Sequence, residues 1–74
     1  MKTFEIRGKY EEDSNFILVY ADDYLYTIPK NRPADWARIK VGDKGSYGGM
    51  LTADLYEAWR AACTKEGVFK LPVS

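Results

Sequence analysis

The sequence predicts an α+β domain: a three- to five-stranded, mainly antiparallel sheet that opens with an N-terminal β-meander, and one C-terminal amphipathic helix packed on one face. Three observations predict it. Apolar and charged residues alternate from Thr3 to Tyr10. Two further runs rich in β-branched and aromatic residues follow, separated only by short acidic breaks. Leu55, Ala58, Trp59, Ala62 and Cys63 then recur at the spacing of one helical stripe. Seventy-four residues make a single domain, 1–74.

In the first segment Phe4, Ile6 and Tyr10 fall on one side and Glu5, Arg7 and Lys9 on the other, with Gly8 placed for a bulge. Glu12-Asp13-Ser14-Asn15 is a turn, because short polar side chains bond their own backbone. Phe16 to Ala21 is apolar throughout and reads as a central strand. Asp22-Asp23 connects it tightly to the strand Tyr24 to Ile28. Pro29 and Pro33 close that meander, since neither can donate a ladder hydrogen bond. A connector with a short helical turn near Pro33 leads to a fourth strand, Ala37 to Val41. Four glycines among residues 42–49 make that stretch a loop.

Thr52 is placed to cap the helix, Asp54 suits its first turn, and Gly67 suits the position past its end. Leu51 and Tyr56 have the spacing of a hydrophobic staple. The five-residue stripe is expected to face the sheet. Val68 to Leu71 alternates again and is expected to return as an edge strand, ended by Pro72. The opposite face of the sheet, assigned Ile17, Val19 and Leu25, then needs cover from the connector around Trp36, from a partner, or from a second copy as a homodimer.

The longest apolar run is Phe16 to Ala21, far short of the roughly 20 residues of a membrane helix. The first residues lack the apolar stretch of a secretion signal, and a lone cysteine suits a reducing compartment, so a cytoplasmic location is expected. The chain has no histidine, which removes the commonest general base and metal ligand. One cysteine cannot build a thiolate zinc site, and Cys63, on the helix stripe, reads as a packed thiol rather than a nucleophile. The acids sit in turns, where carboxylates stay solvated and ordinary. Neither phosphate-binding glycine pattern is met between Gly42 and Gly49. No catalytic residue, metal or cofactor is therefore assigned, and the chain is not expected to be an enzyme.

Net charge is zero but unevenly spread. Residues 1–28 hold three basic and six acidic groups; residues 29–50 hold five basic and two acidic groups. An acidic rim of Asp13, Asp22 and Asp23 beside Tyr24, together with Tyr47 and Met50 of the glycine-rich loop, suits a protein interface. The basic and aromatic stretch Arg32, Trp36, Arg38, Lys40 and Lys44 suits nucleic acid, through phosphate contacts and base stacking, although zero overall charge weighs against a general nucleic-acid binder. A third reading is structural: Trp36 fills the core and the charges are solvated. The sequence thus favours a small non-enzymatic protein-binding module, in the style of the phage or mobile-element inhibitors and regulators that bind a host protein. Nucleic-acid binding through residues 30–47 is the alternative.

Overall fold

The computed structural model describes residues 2–45 and 48–73. Five strands form one antiparallel sheet: β1 (Lys2–Glu12), β2 (Phe16–Ala21), β3 (Tyr24–Pro29), β4 (Ala37–Lys40) and β5 (Lys65–Val73), in the order β4-β3-β2-β1-β5. A 3-10 turn, Pro33–Asp35, precedes β4, and the helix α1 (Ala53–Ala62) lies between β4 and β5. The expected α+β class, meander and single helix are all present. The only tryptophan outside the helix, Trp36, follows the 3-10 turn directly.

The turns form for local reasons. Asp13 Oδ1 accepts from the backbone N–H of Asn15 at 2.7 Å and of Phe16 at 2.8 Å, which fixes the β1–β2 turn. Asp22 and Asp23 both have positive φ, 52° and 64°, as a two-residue hairpin matched to strand twist requires. Aspartate accepts that region better than most residues.

β1 serves two neighbours. Its whole length from Lys2 to Tyr10 pairs with β5, whereas only Lys9 to Glu12 pairs with β2. The N-terminal half of β1 thereby leaves β2 and folds over the sheet, so that Phe4 reaches the Tyr26 ring, 6.3 Å away on the non-adjacent β3. Gly8 marks the departure point. A Cβ there would collide with the Tyr20 carbonyl, so close passage of the two backbones requires glycine. The ladder with β5 runs through Gly8 without interruption, so the glycine serves close approach rather than a bulge.

Curling the sheet divides the core in two. Inside the curl, Ile6, Val19, Ala21, Tyr26, Ile28 and Leu71 are buried, with Tyr10, Ile17, Tyr24, Trp36 and Phe69 packed against them. On the other face, Tyr20, Leu25, Leu51, Tyr56 and Cys63 are buried, flanked by Leu18, Ile39 and Val41. Leu25 therefore belongs to the helix side, not with Ile17 and Val19 as its position in the third run suggested: it pairs with Tyr20, and cross-strand partners share a face. The Ile17 and Val19 side needs no second chain. It is covered by the folded-over β1, by β5 and by Trp36.

Trp36 fastens that cover. Its indole N–H donates to the Pro72 carbonyl of β5 at 2.7 Å, and its ring stacks on Phe4 at 6.4 Å and tilts against Tyr26 at 6.1 Å. One side chain from the β3–β4 connector thus ties the two ends of the sheet together.

The helix differs from expectation in two ways. Thr52 caps it as expected, Oγ1 accepting from Leu55 N–H at 3.1 Å, and Leu51 and Tyr56 are buried in one cluster. It ends at Ala62, however, because Cys63 is extended (φ −75°, ψ 134°) and the chain turns directly into β5. Gly67 is not a helix cap; it lies within β5 opposite Gly8. Of the helix residues only Tyr56 is buried, while Leu55 and Trp59 stay 40% and 39% exposed. Of the five-residue stripe only Cys63, just past the helix end, is buried. The staple explains this: with Tyr56 turned inward, Leu55 stands about 100° round the helix from the buried direction. No described helix is long and apolar enough to cross a membrane.

Candidate functional site

The acidic rim does not exist as one surface. In a meander, successive turns lie at opposite ends of the shared strand, and a six-residue β2 separates Asp13 from Asp22 and Asp23 by about 20 Å. The acids of the β1–β2 end are also engaged internally. Glu12 pairs with Lys30 at 3.1 Å and Lys65 at 3.4 Å, and the hydrogen bond from Lys30, followed by its charge, holds the Glu12 carboxyl below its usual range. The N–H groups of Asn15 and then Phe16 do the same for Asp13. Asp13 is a turn-forming residue at the opposite end of β2 from Asp22 and Asp23.

The opposite end brings together residues from both candidate sets. Asp22 and Asp23 lead into Tyr24, which pairs with Lys40 of β4. Val41 N–H donates to the Asp23 carbonyl at 2.8 Å, and Gly42 N–H to the Leu51 carbonyl at 2.7 Å. Gly42 can make that turn at φ 99° because it lacks a side chain. Leu51 N–H returns to the Asp43 carbonyl at 2.9 Å, and Lys44 bridges to Met50. The glycine-rich loop is thereby pinned beside the β2–β3 turn, directly ahead of the helix. Asp22, Asp23, Tyr24, Lys40, Lys44 and Met50 share this end; Tyr47 lies outside the described residues.

The basic set divides. Arg32 pairs with Asp35 across the 3-10 turn at 3.0 Å. Trp36 is turned inward as the sheet clamp, with its N–H satisfied and its ring stacked on Phe4. Arg38, Lys40 and Lys44 do converge, lining an open cleft of about 470 Å³ along the β3–β4 edge with Tyr24, Ile39 and Asp43. The Arg38 guanidinium sits 4.4 Å from the centre of the Tyr24 ring and 6.0 Å from that of Phe4. Tyr24 thus takes the aromatic place that the sequence offered to Trp36.

Reactive groups are quiet. Cys63 is buried and its Sγ donates to the Trp59 carbonyl at 3.4 Å. Burial, and then the nearby Glu11, push its thiol up, away from the thiolate a nucleophile needs. Burial and then Glu11 also raise Tyr20, whose hydroxyl donates to Glu11 Oε1 at 3.4 Å. Among the described residues no group of three or more His, Cys, Asp or Glu side chains could hold a metal.

The surface that the sequence reading missed is on the helix. Leu55 and Trp59, one turn apart, are exposed, Ala58 and Ala62 lie on the same stripe, and Met50 just ahead of the helix is 51% exposed. The periodicity of the stripe was visible in the sequence. Its direction was not, although the Leu51–Tyr56 staple fixes the roll of the helix and could have supplied it. Comparison with protein-family models, with curated proteins and with solved structures returned no match to this chain.

Proposed function

We propose that the chain is a small protein-binding module, acting as a stoichiometric inhibitor or regulator of another protein rather than as an enzyme. The observation that carries this reading is the exposed Leu55–Trp59 stripe. It presents apolar anchors at the i and i+4 spacing by which a helix enters a groove of a partner. Exposed tryptophan is the residue type most enriched among binding hot spots. Asp54 in the first helical turn places negative charge at the start of the stripe, and Asp23 of the β2–β3 hairpin lies near the Tyr56 that seats the helix. The partner that fits is a protein with an apolar groove and a basic border. A lone buried thiol suits a reducing compartment such as the cytoplasm.

The test is capture of partners from cell lysate by the immobilised chain, with and without nuclease, comparing wild type with Trp59→Ala and with Asp22→Lys/Asp23→Lys. A protein retained after nuclease treatment, lost with Trp59→Ala and weakened by the charge reversal, is expected. Retention undiminished by Trp59→Ala would refute the site.

A second reading rests on the β3–β4 cleft, where Arg38, Lys40 and Lys44 stand beside Tyr24 in an arrangement suited to single-stranded nucleic acid. Asp43 inside the cleft and zero net charge weigh against it. Oligonucleotide binding that falls steeply with salt, and is lost with Lys40→Ala/Lys44→Ala, would favour it.

A further inference from the structure

We propose that β5 is a self-pairing edge, and that a second copy of this chain adds to it antiparallel, about a two-fold axis at Val68. This surface is separate from the helix stripe and does not depend on the reading above.

The direction of each backbone group in β5 follows from the register. Asp13 N–H donates to the Phe16 carbonyl at 3.0 Å, so odd-numbered residues of β1 turn their hydrogen-bonding groups toward β2 and even-numbered ones toward β5. Phe4, Ile6 and Gly8 pair with Leu71, Phe69 and Gly67, so the odd positions of β5 bond to β1. Glu66, Val68, Lys70 and Pro72 therefore turn outward. The Pro72 carbonyl confirms the phase independently, because it accepts the Trp36 indole N–H from outside the ladder. Proline also belongs at such an outward position, where its missing N–H breaks no ladder bond. At Pro72 the edge is occupied by Trp36, but from Glu66 to Lys70 no neighbouring strand covers it among the described residues.

The exposed window is self-complementary. With Val68 opposite Val68 of the second copy, Glu66 faces Lys70 of that copy and Lys70 faces its Glu66. All three pairs are of the hydrogen-bonded kind, giving six backbone hydrogen bonds. Shifting the axis by one residue either way places Glu66 or Lys70 opposite Val68 and loses the charge match.

The next strand extends the pattern. Lys9 lies across from Glu66 and Glu5 across from Lys70 within one chain, so the paired copies would carry Lys9, Glu66, Lys70 and Glu5 in alternating charge across four strands. Neither Glu66 nor Lys70 forms an ion pair within the chain among the described residues. Val68, at the axis, is 46% exposed. A two-fold contact of this kind is closed and isologous, so it stops at the dimer.

The test is the molar mass of the full chain by sedimentation equilibrium over a range of concentrations. The wild type is expected to approach the dimer mass. Glu66→Lys or Lys70→Glu alone converts two attractive pairs into two repulsive ones and should weaken the dimer by about tenfold or more. The double variant Glu66→Lys/Lys70→Glu restores both pairs between the copies in reversed order, while setting like charges against Lys9 and Glu5 within each chain, and should regain most of the association that either single variant loses. Val68→Pro removes the central outward N–H and should give a monomer with an unchanged circular dichroism spectrum. A wild type that stays monomeric at every concentration, or a double variant no better than the single ones, overturns the proposal.

Discussion

Trp36 takes the core-filling role that was one of three readings open to it, whereas Trp59 leaves the core role that its stripe suggested. Trp36 ends a polar, proline-containing connector in a segment with five basic residues, a setting open to recognition or to core filling, and it clamps β5 to the 3-10 turn and packs on the inner core. Trp59 sits on a regular apolar stripe, the setting of a core residue, yet it lies on the outer flank of the helix. The difference lies in what each residue can find to pack against. The curled sheet leaves a gap between its ends that a large ring with one donor can fill and satisfy. The helix is only ten residues long and is seated through Tyr56, with Cys63 just beyond its end, leaving the remainder of its stripe without a platform.

The comparison breaks first at Trp36. Trp36→Ala should cost about 3 kcal/mol, because it removes a large, mostly packed ring together with its hydrogen bond. A core of this size seldom supplies more than about 3–5 kcal/mol in all, so the variant should sit near its unfolding midpoint even without denaturant. Trp36→Phe keeps much of the packing and loses the bond to the Pro72 carbonyl, and should cost about 1 kcal/mol beyond the lost ring area. Urea titration followed by circular dichroism measures both. A Trp36→Ala chain as stable as wild type would mean that the clamp is not what closes the sheet.

Gly8 sharpens the same side. Gly8→Ala drives a methyl group into the Tyr20 carbonyl, and backbone cannot move aside as a flexible side chain could, so a loss of about 2 kcal/mol is expected in the same titration. The Ala21 side chain also lies close to the same point, so the methyl group has little room to shift.

These residues also mark the limit of what was legible beforehand. Period-two alternation found β1, the apolar run found β2, and the paired aspartates found the hairpin from β2 to β3, because each signal is local. The cap at Thr52 and the staple at Leu51 and Tyr56 were equally legible. The fold-over of β1 was not, because it depends on a close approach between residues twelve apart in sequence, for which Gly8 is the only mark. The register that puts Leu25 on the helix side depends on pairing with Tyr20 rather than on the composition of the third run. The candidate site was legible in its parts, Asp22, Asp23, Tyr24, Lys40, Lys44 and Met50. Their assembly came from the loop pinned at Asp43 and Leu51, which no pattern in the chain announces.

A pH titration probes the helix-side core at its alkaline end and the exposed acids of the β1–β2 end at its acidic end, because the groups whose pKa values move lie in those two places. Tyr20, Tyr56 and Cys63 all belong to the helix-side cluster, and burial raises each of them above its ordinary value. A group whose folded pKa is raised contributes stability that is complete below its unfolded pKa and is lost as pH climbs from there through the folded value. Loss should therefore begin above about pH 9 with Cys63 and continue above about pH 10 with the tyrosines. Glu12 and Asp13 behave oppositely: their lowered values add stability above the ordinary carboxylate range that disappears as pH falls below about 4. Hydrogen exchange at alkaline pH should open α1 before the β1–β5 ladder. Simultaneous loss of both would show that the two clusters unfold as one unit.

The smallest expected effect is the one that decides whether the helix stripe is free. If Trp59 has no platform, Trp59→Ala removes a half-exposed ring, and stability should change by no more than about 0.5 kcal/mol. The backbone carbonyl that receives the Cys63 thiol is unaffected by the substitution, so the seat of the helix is preserved. A loss of 2 kcal/mol or more would instead place the ring in a packed site, and the apolar anchor on which protein binding is proposed would already be occupied within the chain. Near-neutral stability combined with lost partner capture assigns the tryptophan to recognition, because the same substitution then acts on the complex and leaves the fold alone.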